Sequence, residues 1–178
     1  IRKSDAKPVI IKTFQNYHQN QYEDSRLKFE YNILKKLSFI EGVVDVCSFE
    51  KIDNTNCIVM EAWDGILLSE YIKGKKIEIS DFLNISRKIA FCLNEIHNEN
   101  VIHKDLNPSN ILINPSNGQI KIFDFGKASL LRSEKLSGKM NGRIEGTIGY
   151  ISPEQTGRIN SSIDYRSDYY SMGVSFFE

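Results

Sequence analysis

Two short apolar runs, Ile111 to Ile113 and Ile120 to Phe123, flank the turn-rich Asn114, Pro115, Ser116, Asn117, Gly118. That pattern predicts a β-hairpin with polar residues at both mouths. The hairpin constrains the chain more than any other feature, because it fixes the setting of the two polar clusters beside it. His103, Lys104, Asp105, Leu106, Asn107, Pro108, Ser109 and Asn110 lead in, and Asp124, Phe125 and Gly126 lead out of a buried strand. Taken alone, Asp105 and Asn110 are also readable as loop-capping residues that satisfy backbone N–H groups.

Upstream, Val9 to Phe14 is a β-branched run after Pro8 that reads as a strand carrying Lys12, and Leu27, Tyr31, Leu34 and Leu37 recur at helical spacing around Glu30. Val43 to Phe49 and Cys57 to Ala62 read as two more strands joined by a turn at Asp53 to Asn56. Together these predict a small antiparallel sheet with one helix on it. Leu67 to Ile72 reads as a short helix. A longer one, capped by Ser80 or Asp81, is expected to turn Phe82, Ile85, Ile89, Cys92, Leu93 and Ile96 inward. Residues 126–147 are rich in Gly, Ser, Lys and Arg, and a long mobile loop is expected there.

Lys and Arg number 23 against 23 Asp and Glu, so no overall field favours nucleic acid or an anionic membrane, and any phosphate binding must be local. Cys47, Cys57 and Cys92 have no metal-binding spacing and are odd in number, so buried reduced thiols are expected. No apolar run approaches the length that spans a bilayer, and the start at Ile1 has no signal-peptide character, so a cytoplasmic location is the expectation. The chain starts without Met and stops within the apolar run around Phe176 and Phe177, which reads as a fragment truncated at both ends.

The order of these clusters resembles the protein kinase family. His103, Asp105 and Asn110 match its H-x-D-x-x-x-x-N catalytic loop, and Asp124, Phe125, Gly126 match D-F-G. Val9 to Lys12 matches V-A-I-K, and Glu30 lies where the family's ion-pair partner stands. Gly146 to Glu154 is similar to the end of an activation segment, with Ser152 in place of Ala before Pro153 and Glu154, and Asp168 to Gly173 to the buried helix after it. Residues 154–158 and 164–168 most resemble kinase domains of large microbial signalling proteins that also carry an ATPase module and a sensor histidine kinase, so covalent linkage to further signalling domains is expected.

The resemblance implies an α+β, bilobal fold. Residues 1–62 would form a small lobe lacking its glycine-rich loop, and residues 63–178 a mainly helical larger lobe. It implies ATP- and Mg²⁺-dependent phosphorylation of Ser or Thr in a protein substrate, with the isolated fragment inactive. Asp124 and Asn110 offer hard oxygen ligands for Mg²⁺, Lys12 held by Glu30 meets the α- and β-phosphates, and Asp105 is the base. Glu61 to Trp63 falls where the family's hinge meets adenine through backbone groups, Leu112 falls where the family binds the rest of the nucleotide, and His103 and Phe125 pack together as support. His97 is read as a helix C-terminal cap.

The sequence also departs from the family pattern. Asn107 stands where a Lys usually contacts the γ-phosphate, Lys104 replaces an Arg, and Ile10 replaces an Ala beside the adenine site. These changes keep open a nucleotide-binding or regulatory module without catalysis, and the shared loop logic keeps open a phosphotransferase acting on small molecules. Ser129, Ser133, Ser137 and Thr147 are candidate phosphorylation sites.

Overall fold

The structure is a computed structural model and describes residues 6–14, 21–137, 145–159 and 161–178. Strand β1 (Val9–Thr13) leads to helix α1 (Gln21–Lys36), and β2 (Val46–Ile52) and β3 (Thr55–Glu61) follow. They form an antiparallel sheet of order β1-β3-β2, with Lys12 opposite Ile58. The β2–β3 turn has two residues, Asp53 and Asn54, both at positive φ, which a tight hairpin of this hand requires. Helix α1 places Glu23 and Asp24 in its first turn and Lys35 and Lys36 in its last, complementing the helix dipole. It buries Leu27, Ile33 and Leu34, and Glu30 with them, and Leu37 just past its end is buried too.

The strand expected from Val43 begins only at Val46. Backbone bonds explain the delay: Val44 N–H donates to Ile122 O (3.1 Å) and Ile122 N–H to Gly42 O (2.7 Å), so residues 42–44 run beside the central hairpin. That pairing fastens the first sheet to the rest of the molecule.

Strand β4 (Ile66–Leu67) runs directly into α2 (Leu68–Ile72), and α3 (Ile79–Asn98) and β5 (Val101–Ile102) come next. Helix α3 starts one residue ahead of the expected cap. Its N-cap is Glu78 with no side-chain cap bond, while Asp81 lies in the first turn, where a carboxylate favours the dipole. Ile85, Ile89, Cys92, Leu93 and Ile96 are buried as the spacing predicted, while Phe82 is partly exposed and meets the Phe176 ring edge-on at 5.9 Å. The hairpin forms from β6 (Ile111–Ile113) and β7 (Ile120–Ile122), giving the sheet order β4-β6-β7.

The expectation of an irregular loop after Gly126 is corrected in its first half. A 3₁₀ turn at Phe125–Lys127 leads into β8 (Ser129–Leu130), which pairs with β5, and then α4 (Leu131–Ser137). The non-local pairing of Val101 with Leu130 supplies order that local composition does not announce. Residues 138–144 of that loop lie outside the described residues. Helix α5 (Tyr165–Phe177) closes the chain, its N-cap Asp164 accepting from Arg166 N–H. The three cysteines are free, and Cys47 is half-buried rather than buried because strand β2 is only partly covered. Among the described residues no helix is long and apolar enough to cross a membrane.

Candidate active site

Lys12, on β1, reaches across to Glu30 on α1, its Nζ lying 2.7 Å and 2.8 Å from the two carboxylate oxygens. The same ammonium lies 2.8 Å from Asp124 Oδ1, so three elements meet at one charge. Burial works against the charge on Lys12, but Glu30 and Asp124 outweigh it and hold its pKa above the ordinary lysine value. Burial likewise pushes Asp124 upward, and Lys12 with the Gly126 N–H reverses this, so that carboxyl titrates below its usual range. Glu30 has the opposite outcome: burial lifts it above its ordinary value, and Lys12 only partly opposes that.

Local backbone aims these groups. Asp124 has a left-handed backbone (φ 61°) at the end of β7, and its Oδ1 accepts from Gly126 N–H. Phe125 is fully buried and packs on His103 with ring centroids 4.7 Å apart, as the sequence predicted. A Cβ at Gly126 would lie 3.1 Å from Asp124 Oδ1 and 3.3 Å from Glu30 Oε2, so glycine allows this turn to press against the ion pair. Arg26 of α1 donates to Gly126 O (2.8 Å) from the other side.

Asp105 and Asn110 form the second half. Asn110 Nδ2 donates to Asp105 O (2.8 Å) and Oδ2 (3.2 Å), and Phe123 N–H donates to Asn110 O (3.1 Å), tying this loop to the strand that carries Asp124. With its amide nitrogen facing two acceptors, Asn110 turns its Oδ1 the other way. Among the described residues neither Asn110 Oδ1 nor Asp124 Oδ2 accepts a hydrogen bond. Two hard oxygen donors suit Mg²⁺, which keeps waters and takes phosphate oxygens as its remaining ligands. No group of three or more His, Cys, Asp or Glu side chains placed to hold a metal occurs among the described residues.

Glu61, Trp63 and Leu112 do not join the cluster. The Glu61 carboxylate is exposed and faces Lys7 at 3.9 Å, and Leu112 sits half-buried in β6 opposite Lys121. The Trp63 indole lines a separate cavity of about 630 Å³ with Phe39, Phe91 and Cys92, which contains none of Lys12, Glu30, Asp105, Asn110 or Asp124. Any nucleotide contact at positions 61 and 63 is therefore left to the backbone. Ile10 is about half exposed on the edge strand, two residues from Lys12 and so on the same face.

Two residues of the site were not foreseen. Lys127 Nζ lies 2.9 Å from Asp105 Oδ2; its signal in the sequence was a cation directly after Asp124-Phe125-Gly126. Asp168, fully buried, accepts from His103 N–H and Lys104 N–H (both 2.8 Å) and lies 2.8 Å from His97 Nε2. His97 is thus a partner of Asp168 rather than a helix cap. Lys104 has positive φ (66°), and the Asp168 carboxylate holds that turn in place. Asp168→Asn is expected to cost about 1–3 kcal/mol, because one N–H loses its acceptor. A lowered urea midpoint checks this; an unchanged midpoint would show that the loop is held by something else.

The second half of the chain also fastens onto the loop. Thr147 Oγ1 donates to Asp105 Oδ1 (2.7 Å), Asn107 Nδ2 donates to Thr147 Oγ1 (3.3 Å), and Gln155 Nε2 donates to Lys104 O (2.8 Å). Glu154 accepts from Ser167 Oγ (2.6 Å), a partner supplied by α5 itself. The Thr147 hydroxyl is thus engaged with Asp105 although the residue is exposed, and the Ser129 hydroxyl is buried. Ser133 is exposed, and the side chain of Ser137 lies outside what is described. Lys104 Nζ pairs with Glu134 of α4 at 2.8 Å, so a carboxylate meets the cation that replaces the family's Arg.

A sequence description of the protein kinase domain matches residues 1–178. A probable serine/threonine-protein kinase of Lactococcus lactis is 32% identical over 174 residues, covering 96% of this chain and 26% of that protein. One of Clostridium perfringens is 33% identical, covering 96% of this chain and 24% of its own length. The chain thus spans about a quarter of the length of these relatives. Among solved structures, the kinase of Cydia pomonella granulovirus superposes with a TM-score of 0.79 at 18% identity, covering 100% of this chain and 61% of the viral one, a likeness of fold.

Proposed function

This chain belongs to the protein kinase family, and on that premise we propose that it transfers the γ-phosphate of ATP to Ser or Thr hydroxyls of protein substrates. One observation carries the reading: Lys12, Glu30 and Asp124 meet at a single ammonium, and Asp105 with Asn110 is bonded to the strand that delivers Asp124. Phosphoryl transfer needs positioning and charge neutralisation more than covalent chemistry from the protein. In this reading Lys12 meets the α- and β-phosphates and Glu30 keeps its ammonium aimed. Asn110 and Asp124 would hold Mg²⁺, which supplies neutralisation of the phosphate charge. Asp105 accepts the hydrogen bond of the attacking hydroxyl and orients it.

Residues 1–62 then cover the nucleotide, and residues 63–178 carry the loop chemistry and the surface for the protein substrate. The reading includes a cytoplasmic site of action, where ATP is abundant, and further signalling domains in the same chain. A substrate of protein rather than small-molecule type is supported by the protein kinases named above and by the Gly146 to Glu154 segment fastened to the loop through Gln155. A regulatory module that binds nucleotide without turnover is the second reading, favoured by the neutral Asn107.

The full-length gene product, incubated with γ-labelled ATP, Mg²⁺ and a mixed protein substrate, is expected to label Ser and Thr. Nucleotide binding without transfer would replace this reading with the second one.

A further inference from the structure

Phosphoryl transfer spreads negative charge over the equatorial oxygens of the moving group, and a cation on the acceptor side stabilises it. Position 107 cannot provide one. Asn107 is neutral and buried, and its amide is spent on Asp105 O (2.9 Å) and Thr147 Oγ1. Nearby cations are held elsewhere: Lys12 by Glu30 and Asp124, Lys104 by Glu134, and Lys121 by Asp45 (2.6 Å).

Lys127 differs on each count. Its ammonium lies 2.9 Å from Asp105 Oδ2, on the side of Asp105 opposite the oxygen taken by Thr147. The 3₁₀ turn that bears it begins directly after Asp124, is anchored by the fully buried Phe125, and is closed by Ala128 N–H donating to Phe125 O (3.0 Å). One turn thus carries both a proposed metal ligand and a cation. The side chain is 31% exposed, so it stays accessible to solvent while its head group contacts Asp105. An ammonium has three donors, and one bond to Asp105 leaves others for phosphate oxygens.

Resting on the phosphotransfer reading above, we propose that Lys127 is a catalytic residue whose ammonium bridges the Asp105 carboxylate and the terminal phosphate of the nucleotide, supplying from the turn after Asp124 the charge that the catalytic loop lacks at Asn107. This assigns a phosphate contact to a residue outside the catalytic loop. It also makes Asp105 and Lys127 one unit, with the carboxylate placing the cation and the cation meeting the charge that develops beside it.

The test compares Lys127→Met, Lys127→Arg, Asn107→Lys and the Lys127→Met/Asn107→Lys pair in the full-length gene product, each checked for a cooperative melt. Two readouts are taken: kcat with protein substrate, and the ratio of ATP to ADP affinity by calorimetry. Lys127→Met is expected to lower kcat by about 100-fold, the scale for one stabilising donor, and to cut the preference for ATP over ADP by about tenfold, as for one charged hydrogen bond. Lys127→Arg keeps most of both, and adding Asn107→Lys to Lys127→Met restores both in part. The proposal is overturned if Lys127→Met keeps the kcat and the ATP preference of the unaltered protein. Should the unaltered protein transfer no phosphate, the phosphotransfer reading fails by itself. The affinity ratio still decides for Lys127, a loss in Lys127→Met supporting the contact and an unchanged ratio refuting it.

Discussion

Asp105→Asn in the full-length gene product is expected to lower the rate of phosphotransfer by about 10²–10⁴-fold, the range of a positioned general base, with ADP affinity nearly unchanged. The substitution keeps size and shape but exchanges an acceptor for a donor on the oxygen that now faces both Lys127 and Asn110 Nδ2. Thr147 keeps an acceptor if the remaining oxygen holds the Oδ1 position. ADP binding is spared because Lys12, Glu30 and Asp124 are untouched, while the ATP preference carried by Lys127 falls with the carboxylate that places it. Single-turnover transfer and calorimetric ADP affinity, measured on the same preparation, separate the two effects. A variant that transfers phosphate as fast as the unaltered protein would remove Asp105 from the chemistry.

Lys12→Met is expected to destabilise the fold as well as abolish productive nucleotide binding. Glu30 is only 1% exposed, and Lys12 is its one ion-pair partner among the described residues. Stranding a buried charge costs about 3–5 kcal/mol; the 29% exposure of the Lys12 side chain argues for the lower end. Glu30→Gln in the same chain removes the stranded charge, so the double variant should be more stable than Lys12→Met alone. Urea midpoints for the two single variants and the pair test this. A double variant no more stable than Lys12→Met would show that the two side chains are not energetically joined.

Local pattern made the β6–β7 hairpin, helix α1 and the inward face of α3 legible, because apolar periodicity carries that information, whereas Lys12, Glu30, Asp105, Asn110 and Asp124 stand out only through the resemblance to the kinase family. What escaped depends on contacts between distant segments. Nothing near Val43 says that residues 42–44 will bond to β7, nor near Ser129 that β8 will find β5. Asp168 reads as an ordinary first-turn carboxylate of α5 until His97, His103 and Lys104 gather on it. Lys127 is one charge in a basic stretch, and only the turn that follows Asp124 brings it onto Asp105. The Trp63 indole lines a separate cavity, which nothing near position 63 announces.

In the proposed activity one triphosphate and its metal are gripped between Lys12 and the Asp105, Asn110 and Asp124 loops. Crystals of the full-length gene product grown with Mn²⁺ in place of Mg²⁺ and a non-hydrolysable ATP analogue would locate the metal by its anomalous scattering. The predicted result is a metal peak bonded to an Asp124 carboxylate oxygen and Asn110 Oδ1, with Lys12 Nζ on the α- and β-phosphates. A bound nucleotide whose metal and phosphates lie away from Asp124 and Lys12 would contradict it.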